Sequence, residues 1–79
     1  MERRRALLDS LVALKGAHEQ ATVVLSGIMI DAVRASKGSG AVPQVKAMRA
    51  YRKAIKTLKI QCLQVEMVLA ELDKPGLPE

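Results

Sequence analysis

Apolar residues keep helical time along two long segments of this chain. In the first, Leu7, Leu11, Leu14, His18, Ala21, Leu25, Ile28 and Ala32 follow alternating steps of three and four residues, and only His18 is not apolar. That spacing is a coiled-coil-like seam on one helical face. In the second, Met48, Tyr51, Ile55, Leu58, Cys62, Val65, Leu69 and Leu72 keep the same rhythm, and all eight side chains can be buried. Between the segments lies the one strong break, Ser36-Lys37-Gly38-Ser39-Gly40-Ala41-Val42-Pro43. Gly38 suits a left-handed helix stop, and Pro43 suits the first position of a new helix, where its missing N–H costs nothing. The pattern predicts one domain over residues 1–79: a helix over about 2–36, a loop over 37–42, a helix over about 43–73, and a loose tail over 74–79 after Lys74-Pro75-Gly76.

The window Thr22 to Ile30 has the β-branched content of a strand. No turn signal separates it from its helical surroundings, and no second strand is there to pair with it, so helix is the reading. Gly16 and Gly27 each cost a helix about 1 kcal/mol relative to alanine. They suit a close approach by another helix, and a kink near Ser26-Gly27 is plausible on these grounds. Each arm would be about 45–50 Å long at about 1.5 Å per residue. A short loop makes the arms antiparallel neighbours. The fold class is therefore all-α, an antiparallel two-helix hairpin.

Two helices cannot cover stripes this wide. Val23, Met29 and Ile30 on the first arm, and Ile60, Leu63 and Met67 on the second, are apolar residues left outside the seam. They are the expected partner-binding surface. Completion to a four-helix bundle, by dimerisation or by a helix of another protein, is the corresponding expectation. With 79 residues and a single cysteine, Cys62, neither a large core nor an internal disulfide is available. A lone cysteine in a basic chain fits a reducing compartment, and the chain reads as cytoplasmic. The apolar window that ends at Asp31 is about half the roughly twenty residues a membrane span takes.

Composition narrows the chemistry. There is no Phe or Trp and only one Tyr, Tyr51, which suits helix-on-helix packing better than an aromatic ligand pocket. No pair of carboxylates and no Ser/His/Asp arrangement has catalytic spacing. The expectation is a non-enzymatic chain with no cofactor, no metal site and no small-molecule substrate. His18, the single histidine, reads as a seam residue, and two copies could meet in a symmetric dimer; Cys62 reads as a small core residue. Lys37-Gly38-Ser39-Gly40 lacks the spacing, the terminal Lys-Ser/Thr and the preceding strand of a phosphate loop.

Net charge is +5, unevenly spread: eight basic residues and no acid fall between Arg34 and Lys59. Lys46, Arg49, Lys53 and Lys56 share one helical face by their spacing and could contact phosphates or an acidic partner. At the open end, Arg3, Arg4 and Arg5 are expected near Glu66, Glu71 and Asp73, each exposed pair worth under about 1 kcal/mol. Two functional classes follow. The first is a protein–protein interaction module acting as adaptor, assembly factor or chaperone subunit. The second is a dimeric nucleic-acid-binding bundle. In size and outline the first resembles the small helical-hairpin co-chaperones of bacterial type III secretion. The second resembles the plasmid-copy-number RNA-binding hairpin protein. Both resemblances rest on architecture, with no shared motif.

Overall fold

Helix α1 spans Glu2–Ser36 and helix α2 spans Val45–Leu72 in the computed structural model, which describes residues 2–73. The two helices pack side by side as a hairpin, and no strand occurs among the described residues. The tail expected over 74–79 lies outside the described residues. The radius of gyration is 18.2 Å, against about 12 Å for a compact chain of this length. The molecule is a rod.

The β-branched window over Thr22–Ile30 is helical, and α1 runs unbroken through Gly16 and Gly27. A Cβ added at either glycine would meet nothing within 4 Å. The close approach expected there is therefore not made by α2.

α1 ends in a cap built from backbone. Gly38 adopts φ +76°, the left-handed conformation that disfavours any side chain. This turns the Ser39 N–H back to the Arg34 carbonyl at 2.9 Å and the Gly38 N–H to the Ala35 carbonyl at 3.0 Å, the paired bonds of a Schellman motif. Ser36 Oγ adds a bond to the Val33 carbonyl at 2.8 Å. Gly40 is there for space: its Cβ would lie 3.3 Å from Cβ of Arg34. α2 begins two residues later than its proline suggests. Pro43 remains in the loop, and Gln44 holds the N-cap position in extended conformation, its carbonyl accepting from the Ala47 N–H at 2.9 Å. The Asp73 N–H closes the far end on the Leu69 carbonyl at 3.0 Å.

The seam itself is rotated from the expected one. Nine of the sixteen expected positions are inside: Leu7, Leu14, Ala21 and Ile28 on α1, and Tyr51, Ile55, Leu58, Val65 and Leu72 on α2. The alternate positions differ. Ser10, Ala17 and Val24 are half-buried in place of Leu11, His18 and Leu25, which are exposed. Likewise Ala47, Ala54, Gln61 and Val68 are half-buried, while Met48, Cys62 and Leu69 are exposed; Ile55 straddles both rows. The physical reason is size. Ser10 and Ala17 on one helix, with Ala47 and Ala54 on the other, let the backbones approach closely, and interaxial distance follows side-chain bulk. Cys62, read as a core residue, is exposed because it shares the outward row of Met48 and Leu69, while the larger Gln61 takes the seam position.

Closeness is gained at the expense of depth. Only Ala21 and Val65 are buried, and no side chain is fully enclosed among the described residues. At the open end Arg5 pairs along its own helix with Asp9 at 3.5 Å, an exposed contact. Arg3 is half-buried there, and its Nη1 is enclosed without a hydrogen-bond partner.

The rotated seam makes a prediction. Ala17→Leu and Ala54→Leu each force the helices apart and lower stability by about 1–3 kcal/mol, the usual cost of overpacking. Urea titration followed by circular dichroism reads this directly. A neutral or positive change at both positions would return the seam to Leu11, His18 and Leu25.

Candidate interaction surface

Rotating the seam toward small residues turns a row of larger ones outward on each helix. Residues seven apart share a face, so Leu11, His18 and Leu25 form one row on α1, while Met48, Ile55, Cys62 and Leu69 form another on α2. In an antiparallel pair, rows that flank the seam on the same side lie beside each other. The structure shows this as two adjoining grooves between the helices. One is lined by Leu11, Leu14, Lys15 and His18 from α1 with Leu58 and Cys62 from α2. The next is lined by His18, Leu25 and Met29 with Tyr51, Ile55 and Leu58, among others. Together they make one apolar strip along a single face of the rod, with His18 and Leu58 common to both grooves.

The exposure along this strip is large. Leu11 is 43% exposed, Met29 59%, Met48 44% and Leu69 47%. Toward the loop the strip broadens over α2 into a shallow cleft, where Met48, Tyr51 and Ile55 sit among Arg49, Arg52, Lys56 and Lys59. The cleft has an apolar floor and a cationic rim without a carboxylate.

The six apolar residues expected to bind a partner are all exposed. They do not form one patch. Met29 belongs to the strip, beside Leu25, Tyr51 and Ile55. Val23 and Ile30 share another face of α1, turned away from seam and strip by helical geometry, as do Ile60 and Met67 on α2. Leu63 lies on the outer side of α2. Because Leu58 lies level with His18 and Tyr51 nearer Leu25, Val23 and Ile30 belong to the loop half of the rod. Ile60, Leu63 and Met67 belong to the open half.

The four basic candidates are exposed and also divide. Arg49 and Lys56 border the apolar cleft. Lys46 faces the loop, in a pocket that it lines with Asp31, Arg34 and Pro43, among others. Lys53, one heptad on from Lys46, shares its face.

The residues that sequence reasoning missed are Leu11, His18, Leu25, Met48, Cys62 and Leu69, with Arg52 and Lys59 at the rim. The first six had been assigned to the interior. The signal was present in Ser10, Ala17, Ala47 and Ala54, small side chains at heptad spacing on both arms.

The single histidine and the single cysteine line the same groove. Among the described residues, no group of three or more His, Cys, Asp or Glu side chains could hold a metal ion. No helix among them is long and apolar enough to cross a membrane. Comparison with protein-family models, with curated proteins and with solved structures gives no match.

Cys62 reports on this surface. Its thiol is open in the isolated hairpin, so a maleimide should label it rapidly at high dilution. Any partner seated on the strip would slow labelling at least tenfold as the complex forms. Equal rates across a thousandfold range of protein concentration, and with every co-purifying protein added back, would leave the strip uncovered.

Proposed function

We propose that this chain is a non-enzymatic protein–protein interaction module whose docking face is the apolar strip between α1 and α2. One observation carries the reading. A hairpin with two buried residues among those described keeps a row of Leu and Met side chains exposed along one face, contributed by both helices. Contiguous exposed apolar surface of this kind marks an association site in a folded protein. Helix-in-groove recognition fits it, because the groove runs along the rod and offers side chains at successive helical turns. Adaptor, assembly factor and chaperone subunit are the roles available to such a module, and the completed structure is a bundle of more than two helices.

The test places charge on the strip and on the opposite side separately. Leu25→Asp combined with Met48→Asp should reduce association at least a hundredfold, read as mass by light scattering or as loss of a co-purifying protein. Val12→Asp combined with Leu63→Asp, at exposed positions outside the strip, should leave association within about threefold. Equal effects of the two pairs would remove the assignment of the strip.

A second reading has its own observation. α2 carries no acidic residue in its first turn and no basic one in its last. Lys46 and Arg49 stand at the positive end of the helix dipole, with Glu71 and Asp73 at the negative end. This is the reverse of what stabilises an isolated helix. Such a layout suits contact with an anionic partner at the loop half, including nucleic-acid phosphates. Lys46→Glu with Lys53→Glu, on a face away from the strip, should then abolish retention on RNA or DNA while leaving association through the strip intact. Retention that is unchanged, or already absent in the unaltered chain at low salt, would remove nucleic acid as a partner.

A further inference from the structure

We infer that the strip is covered by a second copy of this chain, laid across it in the opposite direction, with a two-fold axis crossing the strip near His18 and Leu58. The inference rests on the strip being the docking face and adds its occupant, orientation and register.

Area is the first argument. The chain exposes 6334 Å². A folded monomer of 8.6 kDa is expected to expose about 4,700 Å². The excess is about 1,600 Å² per chain. A contact over this one face that removed about half of the excess from each copy would bury about 1,600 Å², the size of a standard specific interface. A copy of the chain also offers the same strip, of the same length and apolar character, and a two-fold contact of like faces closes on itself.

Charge sets the direction. From His18 to Leu58, which lie level, seven basic residues accompany two acids, Glu19 and Asp31, a net +5; the remaining described residues sum to zero. Copies running the same way would put the two strongly basic halves together. Copies running oppositely place the basic loop half of each on the open half of the other, which carries no net charge. On the strip itself the loop half presents Arg52, the open half presents Glu66 and Lys15, and Lys59 lies beside the axis facing its own copy, so the direction rests on the two halves as wholes and on Arg52 with Glu66. In the opposed arrangement, Glu66 comes within about a turn of the partner's Arg52.

Length and polarity set the register. Face-to-face packing about a two-fold axis perpendicular to the rod stacks α1 on α1 and α2 on α2, each pair antiparallel. Full overlap brings the axis to the middle of the rod, where His18 interrupts the apolar row. The two His18 side chains then lie within about a turn of each other. Any slide would set an imidazole against leucine or methionine. A single polar residue in an apolar seam fixes alignment in this way, at some cost in stability.

The register names residues that can be joined. Leu11 lies level with the partner's Leu25, and Ile55 level with the partner's Cys62 to within one residue. Within one chain these pairs are about 21 Å and 10 Å apart along their own helices, beyond disulfide reach. Two variants test the arrangement. One carries Leu11→Cys and Leu25→Cys with Cys62→Ser. The other carries Ile55→Cys beside the native Cys62. Mild oxidation should convert most of each to a covalent dimer on a non-reducing gel, while the unaltered chain runs as a non-covalent dimer by light scattering. The second variant keeps every strip leucine and methionine, so a folding failure of the first does not decide the matter.

Dimers that cross-link in neither variant would overturn the orientation. A folded monomer at 100 μM that still binds another protein through the strip would overturn self-association but spare the interaction module. A folded monomer indifferent to Leu25→Asp and Met48→Asp would remove both.

Discussion

Close packing of two alanine-bearing helix faces is the contact on which the whole molecule depends. Ala17 on α1, with Ala47 and Ala54 on α2, lets the backbones come near, and Ala21 and Val65 fill the line between them. That choice has a geometrical price: two helices meeting along a narrow line enclose little. The bulky residues Leu11, Leu25, Met48 and Leu69, which would have deepened a core, are turned to one side and made into a surface. The strip is thus the direct complement of the seam, and neither can be altered without the other. Enlarging the seam residues moves the helices apart and changes the spacing of the groove above them.

The loop has a different part in this economy. Gly38 and the bonds from Ser39 and Gly38 back to Arg34 and Ala35 end α1 sharply, and Gln44 starts α2. The turn sets which residues lie level across the hairpin, and so which rows flank the seam on the same side. It also gathers Arg34 and Lys37 beside the basic start of α2. The rod acquires a chemical polarity along its length as well as an apolar face along its side. The two together restrict how a partner can lie on it far more than either alone.

Helix identity and the hairpin were legible in the residue pattern. The steps of three and four held from Leu7 to Ala32 and from Met48 to Leu72, and Gly38 marked the stop. The β-branched run Thr22–Ile30 stayed helical because it sits within one continuous seam. Rotation of the seam was harder to read. Hydrophobicity ranks Leu11 and Leu25 as more buried than Ser10 and Ala17, and in a molecule with a deep core that ranking would hold. Here closeness of approach competes with apolar content, and small side chains win because only two helices share the contact. Gly16 and Gly27 remain unexplained by the hairpin, since each faces open space.

Tyr51 has a practical consequence. It is the sole aromatic residue of the chain, half-buried between the seam and the strip. All near-ultraviolet absorbance and intrinsic emission of the protein therefore come from one ring, and that ring lies where the apolar strip meets its cationic rim. The molecule carries a built-in optical reporter on the surface of greatest interest, with no other chromophore to obscure it.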